Sequence, residues 1–324
     1  MRAFVYGAYG AAISDVAKPT PTGTQVLVRV RACGLNRADL GMTKGHVHGS
    51  AGGAGTVLGM EWAGEVAELG PDAKGVAVGD RVMGSGAAAF AEYTLADHGR
   101  LFHIPSHSNM SFEQASTLPV ALTTMHNAVV TNGGLQAGQS VLIQGASSGV
   151  GLMAMQIAKL KGAKLVIGSS TDAARRGRLT EFGADLAVDS KDPGWVDQVL
   201  KATDGEGVDL IVDQISGPVA NQNLKATKVL GRIVNVGRLG GAHGDFNFDL
   251  HAARRIAYIG VTFRTRSVQE IREIFGAVRA DIWPAVANGT LKLPIDKVYP
   301  FAEIGAAFDH MEANAHLGKI VVTL

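Results

Sequence analysis

The sequence predicts an α/β protein in which a β-rich domain is interrupted by a doubly wound parallel sheet. Residues up to about 118 read as short strands joined by turns, and from about residue 119 strands alternate with helices. The tail from about residue 264 is too short to form a domain of its own. We therefore predict a first domain made of residues 1–118 and 264–324, with a second domain, residues 119–263, inserted in it.

The first domain shows the period-two pattern of half-buried strands. Val26, Val28 and Val30 alternate with Arg29 and Arg31. Further strands, bounded by Gly and Pro, are predicted in VLGMEWAGEVAELG, GDRVMG, AFAEYTLA and LFHIP. This run of short strands favours a small, rolled β domain.

The inserted segment alternates apolar strands with helices. Strands are predicted at VLIQG, KLVIG, DLAVD, VDLIVDQI, RIVNVG and IAYIGVTF. The first helix, in VGLMAMQIAKLKGA, repeats apolar residues at helical spacing and ends at Gly162, and others are expected over 175–182 and 195–203. Because apolar strands in βα units need cover on both faces, the pattern predicts a parallel sheet between two layers of helices.

The composition narrows the class of protein and of partner. The 324 residues are 46% hydrophobic, and 30 Lys and Arg balance 29 Asp and Glu. This balance gives no basic surface for nucleic acid or a membrane, so we expect a small-molecule partner. The chain has one cysteine, so it cannot form a disulfide within itself. It shows no leader-like start and no apolar run of the roughly 18 residues that a membrane span needs. We therefore predict a cytoplasmic protein.

The sequence QGASSGVG is a glycine-rich elbow between a predicted strand and a predicted helix. Glycines there allow a tight turn and a close approach of the backbone to a pyrophosphate, whose charge the helix N-terminus stabilises. A tight turn that binds nothing is the alternative, but the βα units that follow favour a dinucleotide site. The residues predicted to bind the cofactor here are Gly145, Ala146, Ser147, Ser148, Gly149, Val150 and Gly151.

The end of the next strand indicates which dinucleotide binds. An enzyme specific for NAD would place an Asp or Glu there, whereas this chain has Ser169 and Ser170. Arginines follow at Arg175, Arg176 and Arg178. Guanidinium groups suit a 2′-phosphate, so we predict NADPH with Ser169, Ser170 and Arg175 as ligands. A solvated basic helix face is the alternative, and the nearby Asp172 favours it.

Motifs in order along nearly the whole chain resemble the medium-chain dehydrogenase/reductase superfamily. They are GLNRAD, GMEWAGEV, GDRVMG, AFAEY, ASTLPVALTT, GASSGVG, GVDLIVD and GKIVV. The resemblance is nearest to the zinc-free quinone oxidoreductase branch, which is also similar to polyketide-type enoyl reductase domains. It implies a GroES-like catalytic domain, an inserted Rossmann domain, NADPH bound between them, and a homodimer joined through the Rossmann sheet edge, for which IAYIGVTF is suited.

The chain departs from the zinc enzymes of that superfamily at the metal positions. Asn36 stands where they have a Cys, and Met60 stands where they have a His. A structural-zinc lobe with its four cysteines is missing between Gly84 and Phe90, and Cys33 is expected to be a small buried thiol. We therefore predict no metal site. Short-chain reductases share the glycine spacing, but no Tyr of this chain is followed four residues later by their catalytic Lys.

The resemblance also implies the remaining site residues. Asn36 and Thr123 are expected beside the nicotinamide and substrate, and Lys44 and His46 occupy a loop where many relatives have a tyrosine. Cofactor contacts are expected from Asn235, Val236, Gly237, Phe263 and Lys319, the last near the phosphates. Each has a structural alternative: Asn36 could hold a turn, and Thr123 could cap the helix after Pro119.

A site without zinc suits hydride delivery to an acceptor that carries its own electron sink. The first hypothesis is therefore an NADPH-dependent quinone reductase. The second is an enone or enoyl-thioester reductase, and the third is an NADPH-binding protein with little turnover.

Overall fold

The computed structural model describes residues 1–49 and 51–324. The strands, numbered in chain order, are β1 (Arg2–Gly7), β2 (Gly10–Asp15), β3 (Gln25–Gly34), β4 (Val47–His48), β5 (Ala51–Gly52), β6 (Thr56–Val57), β7 (Glu61–Leu69), β8 (Arg81–Ser85), β9 (Tyr93–Asp97), β10 (Leu101–His103), β11 (Ser140–Ile143), β12 (Leu165–Ser169), β13 (Leu186–Val188), β14 (Val208–Asp213), β15 (Thr227–Asn235), β16 (Ala257–Gly260), β17 (Ile295–Pro300) and β18 (Lys319–Thr323). The α-helices are α1 (Arg37–Met42), α2 (Phe112–Ala115), α3 (Pro119–His126), α4 (Gly149–Leu160), α5 (Ala173–Gly177), α6 (Trp195–Ala202), α7 (Ala220–Ala226), α8 (Phe248–Arg254), α9 (Val268–Asp281), α10 (Trp283–Ala287) and α11 (Ile304–Ala313).

The chain forms two compact units. The first contains Met1–Thr123 and Phe263–Leu324, and the second contains Thr124–Thr262. The chain thus passes from one unit to the other after Thr123 and returns after Thr262, where the sequence placed the junctions after residues 118 and 263.

The first unit is built around a sheet that joins both ends of the chain. Its strand order is β10-β8-β7-β3-β18-β17, and β9 also pairs with β3. Val321 of β18 lies opposite Gly34 of β3, so the C-terminal strand completes the sheet that the N-terminal strands begin. Large buried side chains, among them Trp62, Phe90 and Phe308, fill the core of this unit. The predicted β-rich domain is confirmed.

The second unit is a sheet of six strands in the order β13-β12-β11-β14-β15-β16. Every pairing in it is parallel. The prediction of a doubly wound parallel sheet is therefore confirmed. Its strands read as apolar runs because they are covered on both faces: Leu142, Ile167, Ile211 and Ile233 have no exposed surface. The strand order reverses beside β11, the position where sheets of this type bind ligands at their carboxyl edge.

Three segments of the second unit differ from their predicted form. The helix expected over 175–182 is split into α5 and a 3₁₀ turn, Leu179–Phe182, because Gly177 weakens a continuous helix. The strand predicted to reach Phe263 ends at Gly260, so Phe263 lies in the turn that follows it. Helix α8 was not predicted, and it has no buried residue that would give it an apolar stripe.

Candidate active site and dinucleotide-binding elbow

The glycine-rich elbow lies between β11 and α4, as the sequence predicts. Gly145 takes a φ of +72°, which L-residues with a side chain rarely adopt. Ser148 caps the helix, since its Oγ accepts a hydrogen bond of 3.1 Å from the Gly151 amide. A Cβ atom on Gly151 would lie 2.7 Å from Ala146 Cα. Glycine is therefore required for the start of α4 to approach the end of β11 so closely.

A buried polar network holds the elbow in place. Ser169 Oγ donates to Gln144 Oε1 at 2.6 Å and accepts from the Gly145 amide at 3.0 Å. Ser148 Oγ donates to Gln214 Oε1 at 3.0 Å, and Gln214 Nε2 donates to the Gln144 carbonyl at 3.1 Å. Neither glutamine was predicted from the sequence. Their signal is a polar residue placed directly after an apolar strand, at the edge where parallel sheets bind ligands.

The elbow fits a dinucleotide pyrophosphate. Helix α4 is 12 residues long and has no acidic residue in its first turn, so its N-terminal amides and dipole favour an anion there. Ser170 Oγ lies 3.0 Å from Ser147 Oγ, which brings the end of β12 to the same edge. The structure thus brings together the predicted residues of the elbow and the end of the next strand.

All three arginines after β12 lie within ion-pair distance of carboxylates of their own unit, and two of them also donate hydrogen bonds from their guanidinium groups to those carboxylates. Arg176 Nη1 lies 3.0 Å from Asp189 Oδ2 and donates to the Ser170 carbonyl at 2.8 Å. Arg178 makes a forked contact with Glu181, at 3.0 and 2.9 Å. These partners reduce the positive charge that the sequence alone indicates for this segment.

Arg175 is the arginine of this group that the sequence singles out as a ligand. Its side chain is 17% exposed, and its Nε lies 3.6 Å from Asp172 Oδ1. Asp172 also caps α5 by accepting from the Arg175 amide at 2.8 Å. The start of this helix therefore carries both the guanidinium of Arg175, which is predicted to bind a 2′-phosphate, and the carboxylate of Asp172, which would repel that phosphate.

The ends of β14 and β15 are tied together at the same edge of the sheet. Asn235 Nδ2 donates to Ser216 Oγ at 2.5 Å, and Ser216 Oγ donates to the Gly237 carbonyl at 2.6 Å. Ser216 has a φ of +64°, a strained value for a residue other than glycine. The Val236 amide donates to the Asp213 carbonyl at 2.8 Å, and burial raises the pKa of the Asp213 carboxyl. The predicted trio at 235–237 is thus held rigidly.

In the first unit, the predicted residues Asn36 and Lys319 meet in a group that we call the Asn36 cluster: the partly buried Asn36 and the buried Asp39, Glu61 and Lys319. Lys319 Nζ lies 2.6 Å from Glu61 Oε2 and 2.8 Å from Asn36 Oδ1. Asn36 Nδ2 in turn donates to Glu61 Oε2 at 3.1 Å. Asp39 and Glu61 have no exposed surface, and Lys319 is 5% exposed. The ammonium expected near the cofactor phosphates is therefore already paired.

Asp39 is the unusual acid of the Asn36 cluster. Burial raises the pKa of its carboxyl to about 7, even though the backbone amide of Asn36 and the charge of Lys319 favour the ionised form. The backbone amide of Asn36 donates a hydrogen bond of 2.8 Å to Asp39 Oδ2. Within residues 1–49 and 51–324, Asp39 Oδ1 is buried and has no hydrogen-bond partner. Asp39 therefore changes its protonation state near neutral pH.

Thr123 is buried in the first turns of α3. Its hydroxyl donates to the Pro119 carbonyl at 2.7 Å, one helical turn back. It does not act as an N-cap, which was the structural alternative. Glu61 Oε1 accepts a hydrogen bond of 2.7 Å from the Val120 amide, so the Asn36 cluster also holds the start of this helix.

The loop predicted to carry Lys44 and His46 is only partly buried. Lys44 Nζ is paired with Glu312, and both side chains are more than half exposed. His46 is exposed, whereas His48 is half-buried. Burial and the nearby Arg264 lower the pKa of His48, so its imidazole is neutral at pH 7. The contacts of Lys44 are those of a surface ion pair and give no sign of a proton donor.

Phe263 and Cys33 are both in the first unit. The Arg266 guanidinium lies 6.0 Å from the centre of the Phe263 ring. Cys33 is buried and donates from Sγ to the Ala89 carbonyl at 2.9 Å, as expected of a structural thiol. No group of three or more His, Cys, Asp or Glu side chains suited to a metal is found among the described residues. In the same part of the chain, no helix is long and apolar enough to cross a membrane.

Asp39 and Glu61, which the structure brings into the Asn36 cluster, were not among the residues predicted from the sequence. The position of Glu61 inside the apolar stretch GMEWAG is a signal that its carboxylate is buried. A carboxylate is rarely buried without a partner, so a Glu on such a strand indicates a cation nearby. The sequence does not show which cation that is.

Two family profiles match the chain. The one described as an alcohol dehydrogenase GroES-like domain matches residues 22–106, and the one described as a zinc-binding dehydrogenase matches residues 149–278. The first match falls in the β-rich unit. The second begins at the first residue of α4 and extends into α9.

Similar proteins include a polyketide synthase, a quinone oxidoreductase and an enoyl reductase. The chain is 30% identical over 314 residues to a phenolphthiocerol/phthiocerol polyketide synthase of Mycobacterium tuberculosis, covering 96% of this chain but 14% of that protein. It is 27% identical to quinone oxidoreductase of Homo sapiens, covering 96% of this chain and 92% of that one. The crystal structure of CurK enoyl reductase superposes with a TM-score of 0.85 at 26% identity over 99% of both chains. The chain thus spans a small part of the synthase and nearly all of the other two.

Proposed function

Because the chain belongs to the medium-chain dehydrogenase/reductase superfamily, an oxidoreductase family that uses NAD(P)H, we propose that it is an NADPH-dependent quinone reductase. The observation that carries the proposal is the Asn36 cluster. At the position where zinc enzymes of the superfamily have a cysteine ligand, this chain has a carboxamide bound to the buried ammonium of Lys319. Carboxamide and ammonium are poor ligands for zinc, which favours an acceptor that needs no metal to polarise it.

A bound nicotinamide supplies the hydride. The protein then has to orient the acceptor and stabilise the negative charge that develops on its oxygen. One well-placed donor in such a site contributes about 3–4 kcal/mol to the transition state.

The preference for NADPH is part of the proposal. Ser169 and Ser170 end β12 where an NAD-specific chain would carry a carboxylate, and Arg175 lies in the helix that follows. The serine hydroxyls do not repel a 2′-phosphate, and the guanidinium can pair with it.

We also propose that two copies associate through the edge strand β16. Its four residues end the six-stranded sheet, and most of their side chains are exposed. An edge strand presents unpaired amides and carbonyls to a second copy, and a two-fold axis would pair the two sheets.

Reduction of a conjugated alkene is the second candidate. It is supported by the similarity of the whole chain to CurK enoyl reductase and to a polyketide synthase segment. The chemistry differs little, since an enone or enoyl thioester also receives the hydride at carbon and develops charge on its oxygen.

The decisive experiment is anaerobic turnover of NADPH deuterated at the transferring position. A quinone and a conjugated enal are offered in parallel, with reactions lacking protein as the control for direct reduction. NADPH consumed only with the quinone supports the proposal, whereas deuterium on the β-carbon of the enal identifies an alkene reductase. Tight NADPH binding without turnover on a panel of either class would contradict both and favour a binding protein.

A further inference from the structure

Gln214 directly follows β14, and its buried side chain contacts the glycine-rich elbow. It is 3% exposed. Its Nε2 donates to the carbonyls of Gln144 and Gly145, at 3.1 and 3.4 Å. Its Oε1 accepts a hydrogen bond of 3.0 Å from Ser148 Oγ. One carboxamide thus joins the chain just after β11 to the residue that caps α4.

The two carbonyls fix the orientation of the Gln214 carboxamide. Rotating it by 180° would place its oxygen against the carbonyl oxygens of Gln144 and Gly145. Amide and carbonyl oxygens only accept hydrogen bonds, so three acceptors would then meet without a proton between them. The backbone of the elbow therefore selects the orientation of this amide, and Ser148 has to be the donor to its oxygen.

The hydroxyl of Ser148 is fully used inside the elbow. Its proton is directed to Gln214 Oε1 and to the Gly145 carbonyl, which lies 2.9 Å from Ser148 Oγ. Its oxygen accepts from the Gly151 amide at 3.1 Å. A hydroxyl has a single proton to donate, so none is left for a phosphate oxygen. The side chain of Ser148, predicted from the sequence to bind the cofactor, instead holds the elbow together.

The part of the elbow held in this way is the first turn of α4. The first amides of a helix have no intrahelical acceptor, and with the helix dipole they attract an anion. Their direction depends on the cap at Ser148, which Gln214 fixes in turn. The elbow also packs closely on the segment after β14, because a Cβ atom on Gly145 would lie 3.2 Å from Ile215 Cδ1 and 3.5 Å from Gln214 Cβ. The segment after β14 therefore sets the position of this turn.

We propose that Gln214 is a positioning residue for the dinucleotide: through Ser148 it holds the first turn of α4 in the direction that receives the pyrophosphate. The inference rests on the proposed function for the binding of NADPH at this elbow. It assigns Ser148 to the frame of the elbow and not to the ligands of the cofactor. Because the pyrophosphate is common to NADPH and NADH, loss of Gln214 should weaken both equally.

The test is Gln214→Met, which keeps the length of the side chain but removes its hydrogen bonds. Affinities for NADPH, NADH and adenosine 2′-monophosphate are measured by isothermal titration calorimetry; the last probe has a 2′-phosphate but no pyrophosphate. We expect both dinucleotides to bind roughly tenfold more weakly, the equivalent of about one hydrogen bond, and the mononucleotide to bind within about twofold of wild type. Val199→Ala shortens a buried side chain of α6 in the same unit, so it controls for lost stability and should change none of the three affinities.

Equal weakening of all three ligands would show a merely structural role and overturn the inference, as would unchanged affinity for the two dinucleotides. The double variant Gln214→Met/Ser148→Ala tests whether Gln214 acts through Ser148. The losses of NADPH affinity in the two single variants should not add in the double variant, since both break the same link, and additive losses would contradict the inference.

A further readout uses wild-type protein and so does not depend on a variant that folds. Titration of isotope-labelled protein with ADP should shift the backbone amide resonances of Gly149 and Val150, in the first turn of α4. Resonances that do not move would overturn the inference. Wild-type protein that binds NADPH but reduces no quinone would refute the proposed function alone, so the two failures are distinguishable.

Discussion

Asp39 makes the unfolding free energy depend on pH in a direction opposite to that of most carboxylates. Burial raises its pKa from 3.8 to about 7 in the folded protein, so the folded state holds this proton more tightly than the unfolded chain. The associated stabilisation is complete below pH 4 and is lost as the pH rises through 7. Replacement by asparagine, which resembles the protonated acid, should remove this dependence.

The magnitude follows from the shift. A difference of about 3 pKa units corresponds to about 4 kcal/mol when it is fully developed. Wild type has lost only part of this stabilisation at pH 5 and loses about 2.5 kcal/mol more between pH 5 and pH 8. Asp39→Asn has no such loss, so its free energy of unfolding should rise by that amount relative to wild type over this range.

Urea denaturation of both proteins at half-unit intervals from pH 5 to pH 8 measures this difference. Asp15→Asn is the matched control, because it removes an exposed carboxyl with the same change of charge. A difference between Asp39→Asn and wild type that stays constant over this range would refute the reasoning. It would mean that Asp39 is ionised throughout and that the Lys319 charge outweighs burial.

Three further predictions concern the cofactor and the surface of the first unit. Arg175→Ala should weaken NADPH binding by about 1.5–3 kcal/mol and leave NADH binding unchanged in parallel titrations; an equal loss for both would show that it does not contact the 2′-phosphate. Gly151→Ala forces the elbow backbone apart, so it should lower the unfolding free energy by about 1–3 kcal/mol and weaken both dinucleotides, whereas Gly276→Ala, with open space around its Cβ, should do neither. Burial raises the pKa of Asp97, but hydrogen bonds, of which that from Arg272 is the strongest, lower it to about 2. The stabilisation of the folded state by these hydrogen bonds is therefore lost as the pH falls below 4 and Asp97 becomes protonated. Arg272→Ala should cost about 1 kcal/mol at pH 7, after allowance for solvent screening, and less at pH 2; an equal cost at both values would argue against the ion pair.

The fold could be predicted from the sequence because its signals are local. The apolar strands of the second unit and the helix that begins at Gly149 follow from periodicity and from glycines at a turn. Helix α8 could not be found in this way, since it buries no residue and so leaves no periodic stripe. The elbow was predicted in position, but the glutamines that hold it were not.

The candidate site was predictable only in part. The resemblance pointed to Asn36 and Lys319 separately, and the sequence by itself placed three arginines after β12 as a basic group. Folding pairs Arg176 with Asp189 and Arg178 with Glu181, which the arginines alone do not reveal.

The sequence by itself thus determined most of the order of strands and helices in the second unit, the parallel sheet and the place of the glycine-rich elbow, because each depends on residues close together in the chain. Only the tertiary structure decided that Lys319 meets Glu61, 258 positions away, and that Asp39 is buried beside them. The protonation of Asp39 and the orientation of the Asn36 amide depend on distances between charges and on exclusion of water. Those quantities exist only after distant segments have packed together.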